Sequence, residues 1–284
     1  MVVVALTVAS PVAQRLSAAE SRPQRIVSLV PAVTEMIYAM GDGARVAAVS
    51  NYDHFPADVA RLPKVGGLLD PSVERILAIK PDLVIVYATQ QELIERLDRA
   101  RIPYFNYQHR ALPDIMSTIR AVGARIGSAA RAEALASGME RSLDDIRART
   151  AALPHPATLL VFERDRASLR NVYASGGYGF LHDMLEIAGG RNVFASLKQQ
   201  AVQASTELLI SSRPETIVEL VYGDSLKHAD LAGELRAWDA LASVPAVRAH
   251  RIFALTGDQF VVPGPRVVDA ARQLAHALHP ETFK

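Results

Sequence analysis

Short apolar runs alternate with stretches of helical period through the first part of the chain. Strands are predicted at residues 25–30, 45–50, 83–87 and 102–107, and helices at 33–40, 72–79, 90–99 and 112–126. A run such as Leu83-Val84-Ile85-Val86 has no polar alternation, so the strand it forms should be buried on both faces. Strands of that kind separated by helices imply βαβ crossovers and a parallel sheet. The rhythm then stops. From Ser128 to Leu153 there is no strand signal, and Leu135, Met139, Leu143 and Ile146 recur at helical spacing among charged residues. One long helix is predicted there, reaching roughly 37 Å at about 1.5 Å per residue. Pro154 and Pro156 end it, and strands resume at 158–162, 171–174, 216–222 and 251–255. The fold class is therefore α/β: two similar βα lobes, 25–127 and 154–284, joined by one backbone helix at 128–153, with a ligand cleft between them. A single helical connection makes a stiff hinge, so the expected opening motion is small.

An internal echo supports two related lobes. Glu74-Arg75-Ile76-Leu77 followed by Lys80-Pro81-Asp82-Leu83-Val84 returns as Glu207-Leu208-Leu209-Ile210 followed by Arg213-Pro214-Glu215-Thr216-Ile217. In both copies the glutamate stands seven residues before the proline. Each reads as a short helix that opens on a hydroxyl and an acid, Ser72 with Glu74 and Ser205 with Glu207, and stops at a base before proline. A second echo sets Glu35-Met36-Ile37 before Gly41 against Asp183-Met184-Leu185 before Gly189. Ordinary repetition of βα units would produce the same echoes and the same architecture.

Composition narrows the partners. The chain has 284 residues, half of them apolar and 21% charged, enough for two domains of ordinary size. Lys and Arg number 31 against 30 Asp and Glu, and no basic stripe stands out, which argues against nucleic acid and towards small ligands or local charge pairing; the protein is expected to be a monomer. Residues 2–13 are almost all apolar, and Ser17-Ala18-Ala19 offers the small residues a signal peptidase reads, so 1–19 is expected to be an export signal, although no Lys or Arg precedes the apolar run. Cleavage after Ala19 removes Arg15 and brings the charge balance to zero. Other apolar stretches are of strand length, so no membrane span is expected. With no cysteine there is no disulfide and no thiol for a lipid anchor, which favours a soluble protein of a Gram-negative periplasm.

Ligands of open α/β sheets sit at the carboxyl ends of the strands. The loops there hold aromatics and glycines: Tyr52 after the second strand, Gly66-Gly67-Leu68 before the helix at 72–79, Tyr87 ending the third strand, Gly176-Gly177-Tyr178, and Asp258 with Phe260 after the last strand. These ten residues are the candidate ligand contacts, and apolar walls with a few polar groups suit a large flat ligand. Each tyrosine is equally readable as a strand-end residue packed on a neighbour. Arg164, Arg166 and Arg170 offer either a cationic site for an anionic ligand or, the favoured reading, a solvated turn. An enzyme is disfavoured, because Gly176-Gly177-Tyr178-Gly179 has neither a serine elbow nor a following lysine. The eight histidines show no metal spacing, and His54, His109 and His182 would have to converge in the fold to make a site, so no metal and no cofactor are expected.

Three segments in series carry a resemblance: Arg25-Ile26-Val27-Ser28-Leu29-Val30-Pro31-Ala32-Val33-Thr34-Glu35; Pro63-Lys64-Val65-Gly66-Gly67 leading to Glu74-Arg75-Ile76-Leu77 and Lys80-Pro81-Asp82-Leu83-Val84; and Leu255-Thr256-Gly257-Asp258 leading to Pro265-Arg266. Across residues 25–278 the chain resembles the periplasmic substrate-binding proteins of ABC importers for vitamin B12, ferric siderophores and haem. Through Ser50-Asn51-Tyr52 and Gly257-Asp258-Gln259-Phe260 it is most similar to the vitamin B12 binders. The resemblance implies a corrinoid ligand, with a siderophore or haem as the alternative. It also implies one glutamate per lobe, Glu74 and Glu207, docking onto arginines of the membrane permease; the local alternative is a capping role at the helix start. Where the B12 binders place tryptophan the chain has Leu68, Tyr87 and Ala201, and its only tryptophan, Trp238, falls in a segment that reads as a surface helix.

Overall fold

The computed structural model describes residues 22–108, 111–223 and 230–283. The expected export signal at 1–19 and His109 lie outside the described residues. The first lobe runs β1 (Ile26–Ser28), α1 (Pro31–Ala39), β2 (Val46–Val49), α2 (Val73–Ala78), β3 (Leu83–Tyr87), α3 (Gln91–Ala100), β4 (Tyr104–Tyr107) and α4 (Leu112–Arg125). After α5 (Ala129–Thr150) come β5 (Ala157–Glu163), β6 (Val172–Ser175), α6 (Phe180–Ile187), β7 (Arg191–Asn192), β8 (Ala201–Ala204), α7 (Thr206–Ser211), β9 (Thr216–Val221), α8 (Leu231–Leu235), α9 (Pro245–Arg248), β10 (Ile252–Thr256) and α10 (Val267–Leu278).

The first sheet has the order β2-β1-β3-β4 and is parallel throughout. Successive residues of its central strands serve opposite faces. Leu83 and Ile85 pack with Met36 and Ile115 of α1 and α4, while Val84 and Val86 pack with Ile76, Leu93 and Leu97 of α2 and α3. Apolar residues at every position are thus explained by helices on both sides.

The second sheet, β10-β9-β5-β6-β8 with β7 beside β5, is mixed rather than parallel as expected. β5, β9 and β10 are parallel, but β6 runs antiparallel to both β5 and β8. The cause is the connection at 164–171, which is shorter than the dozen or so residues a parallel crossover requires, so the chain turns straight back on itself. Trp238 also departs from expectation. It is fully buried in the second-lobe core with Leu159, Phe194 and Ile217, not on a surface helix.

The 22 residues of α5 extend roughly 33 Å. Its buried stripe is Ala132, Ala136, Met139, Leu143 and Ile146, with the predicted Leu135 only half-buried. At Gly123 of α4 an added Cβ would lie 2.1 Å from that of Ala132, so glycine is what lets the two helices meet. Asp42 anchors the start of α5. Its buried carboxylate accepts hydrogen bonds from Arg22 (2.7 Å), Arg45 (2.9 Å), Arg131 (2.7 Å) and Ser128 (2.6 Å). Burial alone would raise its pKa, but the Ser128 and Arg45 hydrogen bonds and the arginine charges outweigh it and hold the carboxyl below its usual range.

One core cluster continues from lobe to lobe through Met36, Ile119, Leu143, Met184 and Leu274. The lobes are joined by more than the chain crossing. Arg266, at the start of α10, grips the buried Glu35 of α1 bidentately at 2.9 and 2.5 Å, and the Leu112 amide donates to Asp183 across the same junction at 2.8 Å.

Candidate ligand cleft and docking face

A cleft of about 640 Å³ opens between the carboxyl ends of the two sheets. Its first-lobe wall is formed by Pro31, Asn51, Tyr52 and His54 and holds no Asp, Glu, Lys or Arg. The turn that presents Tyr52 is organised by Asp53, whose buried carboxylate accepts from the Ser50 amide at 2.9 Å and the Ser50 hydroxyl at 2.5 Å. Burial pushes the Asp53 carboxyl above its usual range. Lys64 holds the same turn by donating to the Asp53 carbonyl at 2.9 Å. Tyr52 itself remains 64% exposed and available for contact.

The second-lobe wall rises from the ends of β5, β9 and β10. Phe162, Val221, Tyr222, Val261 and Val262 give it an apolar lining, and Glu163, Arg164, Arg166, Glu219, Glu234 and Asp258 give it charge. Arg164 and Glu219 are buried together: the guanidinium meets the carboxylate at 2.5 and 3.0 Å, and the Trp238 indole N–H donates to Glu219 at 2.6 Å. The remaining Arg164 donors reach the carbonyls of Asp165, Ser168 and Glu234. All five N–H groups are spent within the protein, so Arg164 is a strut of the wall rather than a solvated turn or an anion receptor. Arg166 also lines the cleft, 3.8 Å from Glu234, whereas Arg170 is exposed beside Asp165 and outside it.

Of the ten expected ligand contacts, Tyr52 and Asp258 line the cleft, and the Asp258 carboxylate accepts from the Gly223 amide at 3.0 Å. The other eight do not, for identifiable reasons. Phe260 is fully buried in the core. Gly176 and Gly177 are buried against their own chain, where an added Cβ would come within 2.1 Å of the Gln199 carbonyl and 2.0 Å of the Ala195 carbonyl. Gly66 has φ +92° and supports a turn closed over Asp70, and the ring of Tyr52 lies over Gly67 so closely that an added Cβ would meet it at 2.5 Å. Leu68 is exposed, but its carbonyl is tied back by Gln90, away from the cleft lining. Tyr87 packs edge-on against Tyr107 at 5.8 Å, and burial pushes its hydroxyl up to about 12. Tyr178 is 40% exposed outside the lining.

Sequence reasoning missed Glu163, Glu219, His54 and Phe162 as wall residues. One signal was present: Glu219 interrupts the apolar run Ile217-Val218-Glu219-Leu220-Val221, and an unbroken buried strand does not hold a charge without a partner. The three histidines do not converge, since His54 lines the cleft and His182 sits against Asn192. No group of three metal-ligating side chains occurs among the described residues.

The echoed helices match in three dimensions. Glu74 and Glu207 are both exposed in the first turns of α2 and α7. Three residues on, Leu77 and Ile210 are exposed at 37% and 40%, while Ile76 and Leu209 anchor the helices inward. Both helices run out into a base in the left-handed region, Lys80 at φ +52° and Arg213 at φ +46°. They differ at the cap. Ser205 accepts from the Leu208 amide at 3.2 Å, whereas the Ser72 side chain makes no cap bond. Hydrogen bonds from its own amide and from Ser205 hold the Glu207 carboxyl below its usual range.

Two lobes over a cleft, each bearing the same acid-first helix, define a solute-binding receptor. The chain belongs to the periplasmic binding protein family, whose model matches residues 26–259. It is 27% identical to an uncharacterised ABC transporter substrate-binding lipoprotein, YvrC of Bacillus subtilis, over 93% of this chain and 83% of that one. Among solved structures it is similar to the periplasmic vitamin B12-binding protein BtuF of Vibrio cholerae, with 25% identity, a TM-score of 0.76, and coverage of 90% of this chain and 97% of the other. It is likewise similar to the periplasmic haem-binding protein RhuT of Roseiflexus sp. RS-1, with 27% identity, a TM-score of 0.77, and coverage of 90% and 98%. Among the described residues no helix is long and apolar enough to cross a membrane.

Proposed function

We propose that this protein captures a corrinoid, vitamin B12 or a related precursor, in the periplasm and delivers it to an ABC importer, with no catalytic role and no cofactor of its own. The observation that carries the reading is the cleft. One wall holds no Asp, Glu, Lys or Arg and presents an exposed tyrosine; the other sets charged side chains into an apolar lining, and its buried guanidinium, Arg164, is spent internally. A macrocycle fringed with amides needs broad apolar contact and hydrogen-bonding groups more than opposite charge. An anionic ferric siderophore needs convergent free cations, which Arg164 does not supply. In this reading residues 1–19 direct export, 25–127 and 154–284 act as lobes about the 128–153 helix, the protein works as a monomer, and Glu74 and Glu207 engage arginines of the permease.

Haem is the second reading. It is favoured by the similarity to RhuT and by Tyr52 and His54 standing two residues apart on one wall, both side-chain types that can ligate haem iron. Titration calorimetry with cyanocobalamin, cobinamide, haemin and a ferric hydroxamate tests the proposal. Corrinoids binding tightest supports it; tight binding of the hydroxamate or haemin with none of the corrinoids overturns it.

A further inference from the structure

We propose that the cleft selects among its ligands by charge, through two carboxylates on the second-lobe wall that no cation among the described residues offsets, Glu163 and Asp258. This rests on the corrinoid reading and names which corrinoids the site prefers: those carrying net positive charge, such as cobinamides that lack the nucleotide phosphodiester.

The charges on the wall can be paired off. Arg164 and Glu219 neutralise each other, with every guanidinium N–H already engaged. Arg166 lies 3.8 Å from Glu234. Arg266 grips Glu35, donates to Gln259 and stacks on the Phe55 ring at 4.3 Å. What remains is Glu163 at the end of β5 and Asp258, whose carboxylate accepts from the neutral Gly223 amide, neither with a salt-bridge partner among the described residues. The opposite wall contributes Asn51, Tyr52 and His54, none of them a fixed charge. Two carboxylates, Glu163 exposed and Asp258 half-buried, therefore face the ligand space beside an apolar lining, and a ligand that displaces water from the cleft is screened from them less than on open surface. Such a field attracts a cationic corrinoid, is indifferent to a neutral one, and repels the two propionates of haem.

The test compares aquocyanocobinamide, which carries a single positive charge, with cyanocobalamin, which its phosphodiester makes neutral. The two also differ in size, so the readout is the ratio of their affinities in wild type against Glu163→Gln/Asp258→Asn. These isosteres keep the wall's shape and the Asn side-chain carbonyl that can still accept from the Gly223 amide. Calorimetry at about 20 mM salt should show the cobinamide-to-cobalamin ratio falling about tenfold in the variant, and about 0.5 M salt should reduce that difference to threefold or less. A ratio unchanged by the substitutions, or a difference indifferent to salt, overturns charge selection while leaving corrinoid binding intact. Haemin binding more tightly than both corrinoids overturns the corrinoid reading itself, and charge selection with it.

Discussion

The two lobes share an acid-first helix before a central strand, α2 before β3 and α7 before β9, yet build their cleft walls differently. The first lobe uses a wholly parallel sheet, and its wall is a tight turn held by backbone amides and one buried carboxylate, leaving Tyr52 outward and no fixed charge. The second lobe turns β6 back antiparallel, and the connection this creates brings Phe162, Glu163 and Arg164 to the cleft over a buried Arg164–Glu219–Trp238 network. The lobes match on the outside, at α2 and α7, in exposed acid, exposed apolar residue and left-handed base. On the proposed reading, the lobes agree where a partner with two equivalent sites would dock and differ where a single asymmetric ligand would sit.

If the outer match is the functional one, breaking it should produce the largest effect. Replacing Glu74 and Glu207 together with alanine is expected to abolish uptake through the cognate permease in a cell-based transport assay, with corrinoid affinity by calorimetry staying within a few-fold. A parallel loss of ligand binding would show that α2 and α7 belong to the cleft.

The next effect concerns the second wall. Glu219→Gln leaves the Arg164 guanidinium buried without a countercharge, and chemical denaturation should show a loss of about 3 kcal/mol. The first wall has no equivalent, so Tyr52→Ala should leave stability within about 0.5 kcal/mol and weaken ligand binding by about 1–2 kcal/mol.

The start of α5 carries its own pH signature. The Asp42 carboxyl, held below its usual range in the fold, contributes stability that is fully present above its unfolded value of 3.8 and is lost as pH falls through the folded value. Asp42→Asn should flatten the acid limb of the stability curve below about pH 4, as read by denaturation at successive pH values.

Much of this architecture was legible in the chain. The apolar runs placed eight of the ten strands, β3 to the residue, because a strand buried on both faces leaves no polar position to blur its ends; the short β7 and the edge strand β8, with exposed Ala201 and Gln203, carry no such run and were missed. The break in alternation after Ser128 marked α5, and the repeated glutamate-to-proline spacing marked α2 and α7. The wall was not legible. A glycine pair announces a close approach but not of what, and at Gly176 and Gly177 the approaching group is the chain's own 195–199 segment rather than a ligand. Phe260 and Trp238 were misplaced because an aromatic at a strand end or among short turns is buried or exposed according to partners distant in sequence. Arg164 was misread for the same reason, since its partner Glu219 lies 55 residues away.

The smallest expected effect is in overall shape. Because one core runs through both lobes and Arg266 ties them at Glu35, X-ray scattering with and without ligand should show the radius of gyration changing by less than about 1 Å. A closure of tens of degrees would contradict the stiff junction.

The central claim, a corrinoid in the cleft, is tested most directly by competition. Ligand-free protein incubated with equimolar cyanocobalamin, haemin and a ferric hydroxamate, then passed through a desalting column, should carry the corrinoid absorption bands at near one equivalent. Co-elution of the haem Soret band or of the hydroxamate charge-transfer band, with the corrinoid left behind, would contradict it.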